Sequence, residues 1–244
     1  MIGVRTYGRL GNFLFQVSHC IAFALKNNQE FSVPIRTKDP FWNPLYLSHL
    51  HNPKWKEGVE DILINESVHE WQQIEYKKEW DDKQVVLNGY WQSWKYIDYF
   101  RNEILYLFNY PYEKKEGVVA VHVRRGDYLH LKDKHPYYGK EWYEEAMKKF
   151  DGYRFKFYSD DLAWCRQEFG SRNDVEFSTN DDIERDMIDA ASCEHSIISS
   201  STFGWWIGWL NRNKDKRIII PEKWFVDGYN LKTYDIVPPY FEKL

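Results

Sequence analysis

Hydrophobic residues along this 244-residue chain recur with two different periods, and the alternation between these periods predicts the fold. Short runs rich in β-branched and aromatic residues predict strands or strand ends at 2–7, 31–35, 84–91, 118–123, 154–159, 196–201 and 217–221. Segments with helical spacing or helix-start signals predict helices at 13–27, 96–109, 140–150, 160–169, 181–192 and 202–211. Strands separated by helices indicate an α/β fold with parallel sheets.

A break in this pattern divides the chain into two parts. The segment YPYEKKEG at 110–117 combines proline, a charge run and glycine, which is typical of a linker. We therefore predict two Rossmann-like domains, at 1–112 and 113–244, that face a central cleft. In such sheets, ligands bind at the carboxyl ends of the strands. Residues 36–80 show no pattern that assigns them a role.

Composition narrows the class of protein. The net charge of −4 gives no polybasic signature, so no nucleic-acid partner is expected. The 12 Trp, 18 Tyr and 15 Phe favour a core built from rings, although aromatic faces also suit carbohydrate. Cys20, Cys165 and Cys193 lie far apart and fit a reducing compartment. No stretch approaches the about 18–20 apolar residues of a membrane span, so we expect a cytoplasmic protein.

Two adjacent arginines follow directly after the β-branched run at 118–123. Arg124 and Arg125 would lie at the carboxyl edge of the predicted sheet, where guanidinium groups can hold phosphate oxygens with two hydrogen bonds each. Gly126 permits a sharp turn, and Asp127 can orient an arginine or accept a proton. The alternative is a surface turn whose charges only pair, and an RGD adhesion ligand fits this strand-anchored position poorly.

A second candidate site lies at the start of the predicted helix 202–211. Four hydroxyl residues, 199–202, precede it, and a helix N-terminus attracts anions. The alternative is an ordinary helix cap. Within the helix, one face is predicted to be buried, formed by Phe203, Trp206, Ile207 and Leu210. The segment GRLGNF at 8–13 has the same strand–turn–helix character, but it is a weak nucleotide fingerprint.

Several metal and nucleotide motifs are missing from the sequence. It contains no GxxxxGK[ST], no HExxH and no Asp-x-Asp, and its eight histidines show no metal-ligand spacing. If the chain handles a diphosphate, we therefore expect arginines and helix ends to hold it without a metal.

Five segments together resemble the α-1,2-fucosyltransferase family. HVRRGDY at 122–128 is similar to the arginine signature of that family. Four further segments match family motifs in the same order: GRLGNFLFQVS at 8–18, LNGYWQSWKYI at 87–97, FYSDD at 157–161 and SIISSSTFGWWIGWLN at 196–211. The match spans most of the chain.

The resemblance implies a two-domain GT-B fold and GDP-fucose as the donor substrate, with no metal or other cofactor. It also implies inversion at the anomeric carbon of fucose. The donor would bind mainly to the C-terminal domain 113–244, and the N-terminal domain 1–112 would be the acceptor side. The acceptor would be a terminal β-galactoside on an oligosaccharide or glycolipid. Such an acceptor leaves peripheral contact with a membrane open.

The same resemblance also implies roles for individual residues. Arg124 would bind the β-phosphate, and Arg125 would support the site or share the phosphate. His122 and one of Asp160 or Asp161 would lie near the guanosine.

The remaining donor-side roles fall on the two strand–turn–helix segments. Ser200, Ser201 and Thr202 would face the diphosphate, and Gly11 and Asn12 would close the cleft from the N-terminal side. The chain departs from the family here, because Ser-Ser-Ser-Thr at 199–202 replaces the usual Ala-Asn-Ser-Ser, and Phe13 replaces a glutamine.

More than one assignment is open for the catalytic base and for the function itself. Asp127 and His130 are the nearest candidates for a general base, but Asp127 can equally brace an arginine. Besides a galactoside fucosyltransferase, the motifs fit a GDP-fucose enzyme that acts on protein or on a glycan core. They also fit a catalytically inactive module that binds glycans or nucleotides.

Overall fold

The structure is a computed structural model that describes residues 1–33, 47–67, 70–229 and 234–244. The chain forms two compact units, Met1–Tyr110 with Lys232–Pro238, and Pro111–Leu231 with Pro239–Leu244. The predicted domains at 1–112 and 113–244 assign the late segment 232–238 to the second domain. Its hydrogen bonds lie instead with the first unit, because Asp235 accepts from the backbone N–H groups of Trp71 at 2.8 Å and Trp94 at 3.1 Å.

The first unit contains a parallel sheet of three described strands. These are β1 (Ile2–Val4), β2 (Ile62–Asn65) and β3 (Val85–Asn88), in the order β1-β3-β2. Helix α1 (Leu10–Lys26) begins three residues before the predicted start, and α2 (Arg101–Phe108) follows two short 3₁₀ turns in the region predicted as one helix. Nearly every residue of α1 up to Ala24 is buried, so this helix runs through the core.

Two predictions for the first unit differ from the structure. Strand β2 was missed because it is an edge strand whose side chains alternate between half-buried and exposed, which leaves no continuous apolar run. The strand predicted at 31–35 is reduced to a single parallel bridge between Phe31 and Ile2. Positions 34 and 35 of that prediction lie outside the described residues.

The described part of the second unit contains six strands, and every strand pair in it is parallel. The strands are β4 (Lys115–Val123), β5 (Arg154–Ser159), β6 (Val175–Phe177), β7 (Cys193–Ile198), β8 (Ile218–Ile220) and β9 (Glu242–Lys243). Their order, β6-β5-β4-β7-β8-β9, is the 3-2-1-4-5-6 order of a Rossmann sheet when the strands are counted from β4. The prediction of a parallel α/β fold is therefore confirmed.

Four helices cover the faces of this sheet: α3 (Lys140–Met147), α4 (Leu162–Phe169), α5 (Ile183–Ala191) and α6 (Thr202–Leu210). Val121 and Val123 share one apolar cluster with residues of α3 and α4. The alternate residue His122 contacts Phe203 of α6, with ring centroids 5.2 Å apart. Because side chains alternate along a strand, α6 lies on the face opposite α3 and α4.

Helix α6 is more deeply buried than the sequence predicted. Trp206, Ile207 and Leu210 of the predicted stripe are buried, whereas Phe203 is only half-buried. Trp205 and Trp209, which were not part of the stripe, are buried as well. The helix is therefore enclosed on more than one side, because it packs between the sheet and its neighbours. Among the described helices, none combines the length and the apolar character that a membrane crossing requires.

Candidate functional site

The candidate site lies where the strand order of the second unit reverses. Strands β4 and β7 are neighbours at this switch point, and open α/β sheets bind ligands at the carboxyl ends of such strands. Arg124 and Arg125 follow β4, and Ser199 and Ser200 follow β7. The structure thus brings together two segments that the sequence singled out separately.

Arg124 is fixed by two aspartates. Its Nη2 pairs with Asp127, three residues along the chain, and its Nη1 donates to Asp160 at 2.5 Å. The guanidinium also lies over the ring of Tyr128, with its Cζ 5.1 Å from the ring centroid. A guanidinium has further N–H donors beyond these two, so Arg124 can still bind an anion.

Arg125 is fixed on the α4 side of the strand end. Its Nε donates to Asp161 at 2.9 Å, its Nη1 donates to the hydroxyl of Tyr137 at 2.6 Å, and its Cζ lies 4.0 Å from the ring centroid of Trp164. Most of its side chain is buried by these contacts. These contacts favour a role for Arg125 in supporting the strand end over direct binding of an anion.

Asp161 also caps helix α4. Its Oδ1 accepts from the backbone N–H of Trp164 at 3.1 Å, while Oδ2 accepts from Arg125. Burial alone would raise the pKa of Asp161, but these hydrogen bonds outweigh it and hold the pKa below its usual range. Asp161 therefore stays ionised and joins the strand end to the helix.

Asp160 connects the two arginines. One carboxylate oxygen accepts from the backbone N–H of Arg125 at 2.9 Å, and the other binds the Arg124 side chain. Gly126 makes this approach possible, since a Cβ at that position would lie 2.4 Å from Asp160 Oδ2. The signature glycine thus leaves space for a carboxylate that comes from the next strand.

His122 is buried in β4 at the switch point, two residues before Arg124. Its Nδ1 and the hydroxyl of Ser199 are 2.9 Å apart, and a Cβ at Gly204 would lie 2.7 Å from that nitrogen. Burial, with a smaller effect from the charge of Arg124, lowers the pKa of His122 to about 3. His122 is therefore neutral at physiological pH and links β4 to the segment that precedes α6.

The hydroxyl residues 199–202 before α6 differ in what their side chains contact. The hydroxyl of Ser200 donates to the backbone carbonyl of Lys223 at 2.7 Å, and its own carbonyl accepts from the hydroxyl of Tyr128 at 3.3 Å. Ser201 occupies the N-cap position of α6, but its side chain makes no capping hydrogen bond. Ser201 therefore does not act as a side-chain cap, and whether the cluster faces a diphosphate stays a prediction. Thr202 begins the helix and is half-buried.

The two candidate bases differ in their surroundings. Asp127 lies in the 3₁₀ turn Gly126–His130 and pairs with Arg124. His130 ends the same turn and is exposed. This geometry favours the bracing role for Asp127, and which residue acts as a base stays a prediction.

Gly11 and Asn12 belong to the first unit, inside the first turn of α1. The side-chain oxygen of Asn12 accepts from Gln92 at 2.9 Å, and Asn12 packs against Gly8, whose φ is +80°. A Cβ at Gly8 would lie 2.5 Å from the amide nitrogen of Asn12. These contacts explain Gly8 and Asn12 of the motif within this unit. The role of Gly11 and Asn12 toward a donor stays a prediction.

Three contact residues were not predicted from the sequence. Tyr137 and Trp164 hold Arg125, and Tyr128 contacts Arg124 and Ser200. Only Tyr128 had a sequence signal, as the last residue of the arginine signature. Among the described residues, no group of three or more His, Cys, Asp and Glu side chains is placed to hold a metal ion.

The family model for glycosyl transferase family 11 matches residues 106–234, which is more than half of the chain. The chain therefore belongs to glycosyl transferase family 11. The resemblance drawn from the motifs is confirmed at the level of the family. The match includes most of the six-stranded unit, whereas most of the first unit lies outside it.

Two curated relatives and one solved structure illustrate the similarity. The α-1,2-colitosyltransferase of Escherichia coli is 29% identical over 177 residues, covering 63% of this chain and 60% of that protein. Galactoside 2-α-L-fucosyltransferase Sec1 of Mus musculus is 28% identical over 242 residues, covering 86% and 64%. The chain thus spans less than two thirds of either relative. The fucosyltransferase NodZ from Bradyrhizobium has a TM-score of 0.49 and 16% identity, covering 84% of this chain and 91% of that chain.

Proposed function

We propose that this protein transfers L-fucose from GDP-fucose to the 2-hydroxyl of a terminal β-galactoside, with inversion at the anomeric carbon and without a metal. The observation that carries the proposal is the pair Arg124 and Arg125 at the switch point of the sheet, bridged by Asp160. Membership of glycosyl transferase family 11 and a relative named as a galactoside fucosyltransferase support the same reaction.

The proposed chemistry rests on charge that develops during the reaction. When GDP departs, negative charge grows on its β-phosphate and the fucosyl centre becomes oxocarbenium-like. A fixed guanidinium that binds this growing charge more strongly than the ground state lowers the barrier. Arg124 would supply that interaction, while Arg125, held by Asp161 and Trp164, would keep the strand end in place.

We expect a bound diphosphate to displace one aspartate from Arg124, because it adds negative charge to a cluster that is already negative. Counted as ionised groups, Arg124 and Arg125 with Asp127, Asp160 and Asp161 sum to −1, because three negative charges face two positive ones. Asp127 is the more exposed partner of Arg124, at 40% against 28% for Asp160. In the proposed complex, the phosphate therefore replaces Asp127 on Arg124, and Asp160 keeps its place.

The remaining parts of the proposal concern the donor site and its setting. His122 and one of Asp160 or Asp161 would lie near the guanosine, and Ser200, Ser201 and Thr202 would face the diphosphate. The two units would take a GT-B arrangement. The protein would act in the cytoplasm, with peripheral contact to a membrane when the acceptor is a glycolipid.

Release of GDP from GDP-fucose tests the proposal, measured with and without lactose, N-acetyllactosamine and other galactosides. Acceptor-dependent release and a new α-linked fucose at the 2-hydroxyl are expected. Release only with protein or glycan-core acceptors would favour the second enzyme class, and binding of GDP without any release would favour an inactive module. A parallel reaction with nucleotide-activated colitose tests the sugar named for the bacterial relative.

A separate measurement tests the proposal that the donor binds without a metal. GDP should raise the melting temperature by the same amount with and without EDTA, because arginine side chains replace the ion. A thermal shift that disappears in EDTA would refute this part.

A further inference from the structure

The first unit has a cluster of uncharged polar and aromatic side chains at the carboxyl edge of its sheet. Four residues form it: Tyr7 after β1, Asn65 at the end of β2, Asn88 at the end of β3, and Tyr90 two residues later. We call it the tyrosine–asparagine edge. The carboxyl edge is where parallel α/β sheets bind ligands. This one lies outside residues 106–234 that the family model matches, although Asn88 and Tyr90 belong to the motif segment 87–97.

The two carboxamides are already aligned with each other. The side-chain nitrogen of Asn88 donates to the side-chain oxygen of Asn65 at 2.7 Å, and the Tyr7 hydroxyl donates to the oxygen of Asn88 at 3.4 Å. The register of the parallel strands places Asn65 directly beside Asn88. A carboxamide carries both donors and an acceptor, so this pair can match hydroxyl groups on adjacent carbons of one ligand.

The two tyrosine rings form a corner beside these amides. Their centroids are 5.1 Å apart and their planes are nearly perpendicular, at 84°. Tyr90 is 37% exposed, so part of its ring is open to a ligand. Rings with an apolar face and a polar hydroxyl suit ligands that have both C–H faces and hydroxyl edges.

The position of Tyr90 is fixed by a strained backbone turn. Both carboxylate oxygens of Glu66 accept backbone N–H groups, from Tyr90 at 2.6 Å and from Trp91 at 3.0 Å. Trp91 has a φ of +55°, which is unusual for a residue other than glycine. Gly89 permits the close packing, because a Cβ there would lie 2.3 Å from the Cβ of Glu66. Strain that is held in this way often occurs beside ligand sites.

The charge around this edge selects the ligand class. None of the four side chains is charged, and the nearby Arg5 is paired with both carboxylate oxygens of Glu60. The adjacent Glu66 carboxylate disfavours an anion. We propose that the tyrosine–asparagine edge binds a neutral pyranose ring. Naming that ring as the terminal sugar of the acceptor rests on the proposed function, while sugar binding itself does not.

The test compares Asn65→Ala and Tyr90→Ala with Tyr106→Ala as the matched control. Tyr106 is a tyrosine of the same unit, lies on α2 and is 82% exposed. Each edge variant should weaken lactose binding about tenfold, by titration calorimetry or ligand-observed NMR, because it loses one hydrogen bond or stacking contact. The Km for lactose should rise to the same extent, while the Km for GDP-fucose stays unchanged. Melting temperatures confirm folding, and Asn65 is an exposed position where alanine leaves the core intact.

The outcomes separate this inference from the proposed reaction. Lactose binding that is weakened at the edge, but not by the control, supports the inference even when no fucose is transferred. Unchanged lactose affinity and Km in both edge variants overturn it while leaving the transferase proposal standing. The absence of any binding by lactose and N-acetyllactosamine to the wild type overturns it as well.

Discussion

Substitution of Gly126 by alanine is the sharpest test of how the arginines are held. The backbone at Gly126 lies outside the left-handed region, so alanine meets no dihedral strain there. The new Cβ would lie 2.4 Å from Asp160 Oδ2, whereas ordinary contact begins at 3.4 Å. The carboxylate must therefore move by about 1 Å, the difference between those distances.

The cost follows from what Asp160 binds. Its displacement weakens the hydrogen bonds to the Arg125 backbone and to the Arg124 side chain. Hydrogen bonds to charged groups contribute about 1.5–3 kcal/mol each, and partial exposure of Asp160 reduces that value. We therefore expect a modest loss of stability, about 1–2 kcal/mol. Misplacing a catalytic group by about 1 Å lowers turnover on the order of 10²-fold.

The assay is steady-state turnover of GDP-fucose with the best galactoside, together with the free energy of unfolding from urea denaturation. Gly139→Ala is the matched control, because a Cβ there would contact only the carboxylate of Glu141, at 2.8 Å. Gly126→Ala is also introduced into an Asp160→Ala background. There the obstructing carboxylate is gone, and the glycine substitution should cost little more.

Two results would refute this reasoning. Wild-type turnover in Gly126→Ala would show that the position of Asp160 does not matter for the arginines. An equal loss from Gly126→Ala with and without Asp160 would show that the glycine acts through something other than this carboxylate.

Three further predictions test the arginine roles, a buried histidine and the tryptophan helix. Arg124→Lys keeps the positive charge but loses the planar guanidinium, so turnover should fall roughly 10²–10³-fold. Arg125→Lys should mainly lower the melting temperature, because Arg125 supports the strand end. A larger loss of turnover in Arg125→Lys than in Arg124→Lys would reverse these two roles. Burial lowers the pKa of His19 to about 3, so the folded state stays unprotonated while the unfolded state gains a proton below about pH 6.5. Stability should therefore fall as the pH drops from 6.5 toward 3. His19→Phe should reduce that slope by about 1.4 kcal/mol per pH unit in urea titrations, and identical slopes would contradict it. Trp206→Ala should cost about 3–5 kcal/mol of unfolding free energy, because this side chain is fully buried, and an undestabilised variant would contradict the packing.

The local pattern predicted most of the second unit. Strand β5 has the predicted bounds, and β4 contains the predicted run 118–123, because buried parallel strands give continuous apolar runs. Edge strands were the main misses. Strand β6 has only three residues and β9 has two, which is too short for a period to be visible.

The position of the two arginines also followed from the local sequence. Arg124 and Arg125 follow β4 immediately, and a parallel sheet has its ligand edge at that end, so the position of the candidate site followed from local information. The sequence likewise indicated the family, because five motifs occur in a fixed order.

The partners of these groups depend on long-range packing that local sequence does not reveal. Asp160 lies 36 residues from Arg124, and Asn88 lies 81 residues from Tyr7, yet both pairs are in contact. Such contacts depend on which strands are neighbours and on their register, and the periodicity of a single segment carries no information about either. The bracing of the arginines by Asp160, the burial of α6 on more than one side and the tyrosine–asparagine edge all arise from this long-range pairing of strands and helices.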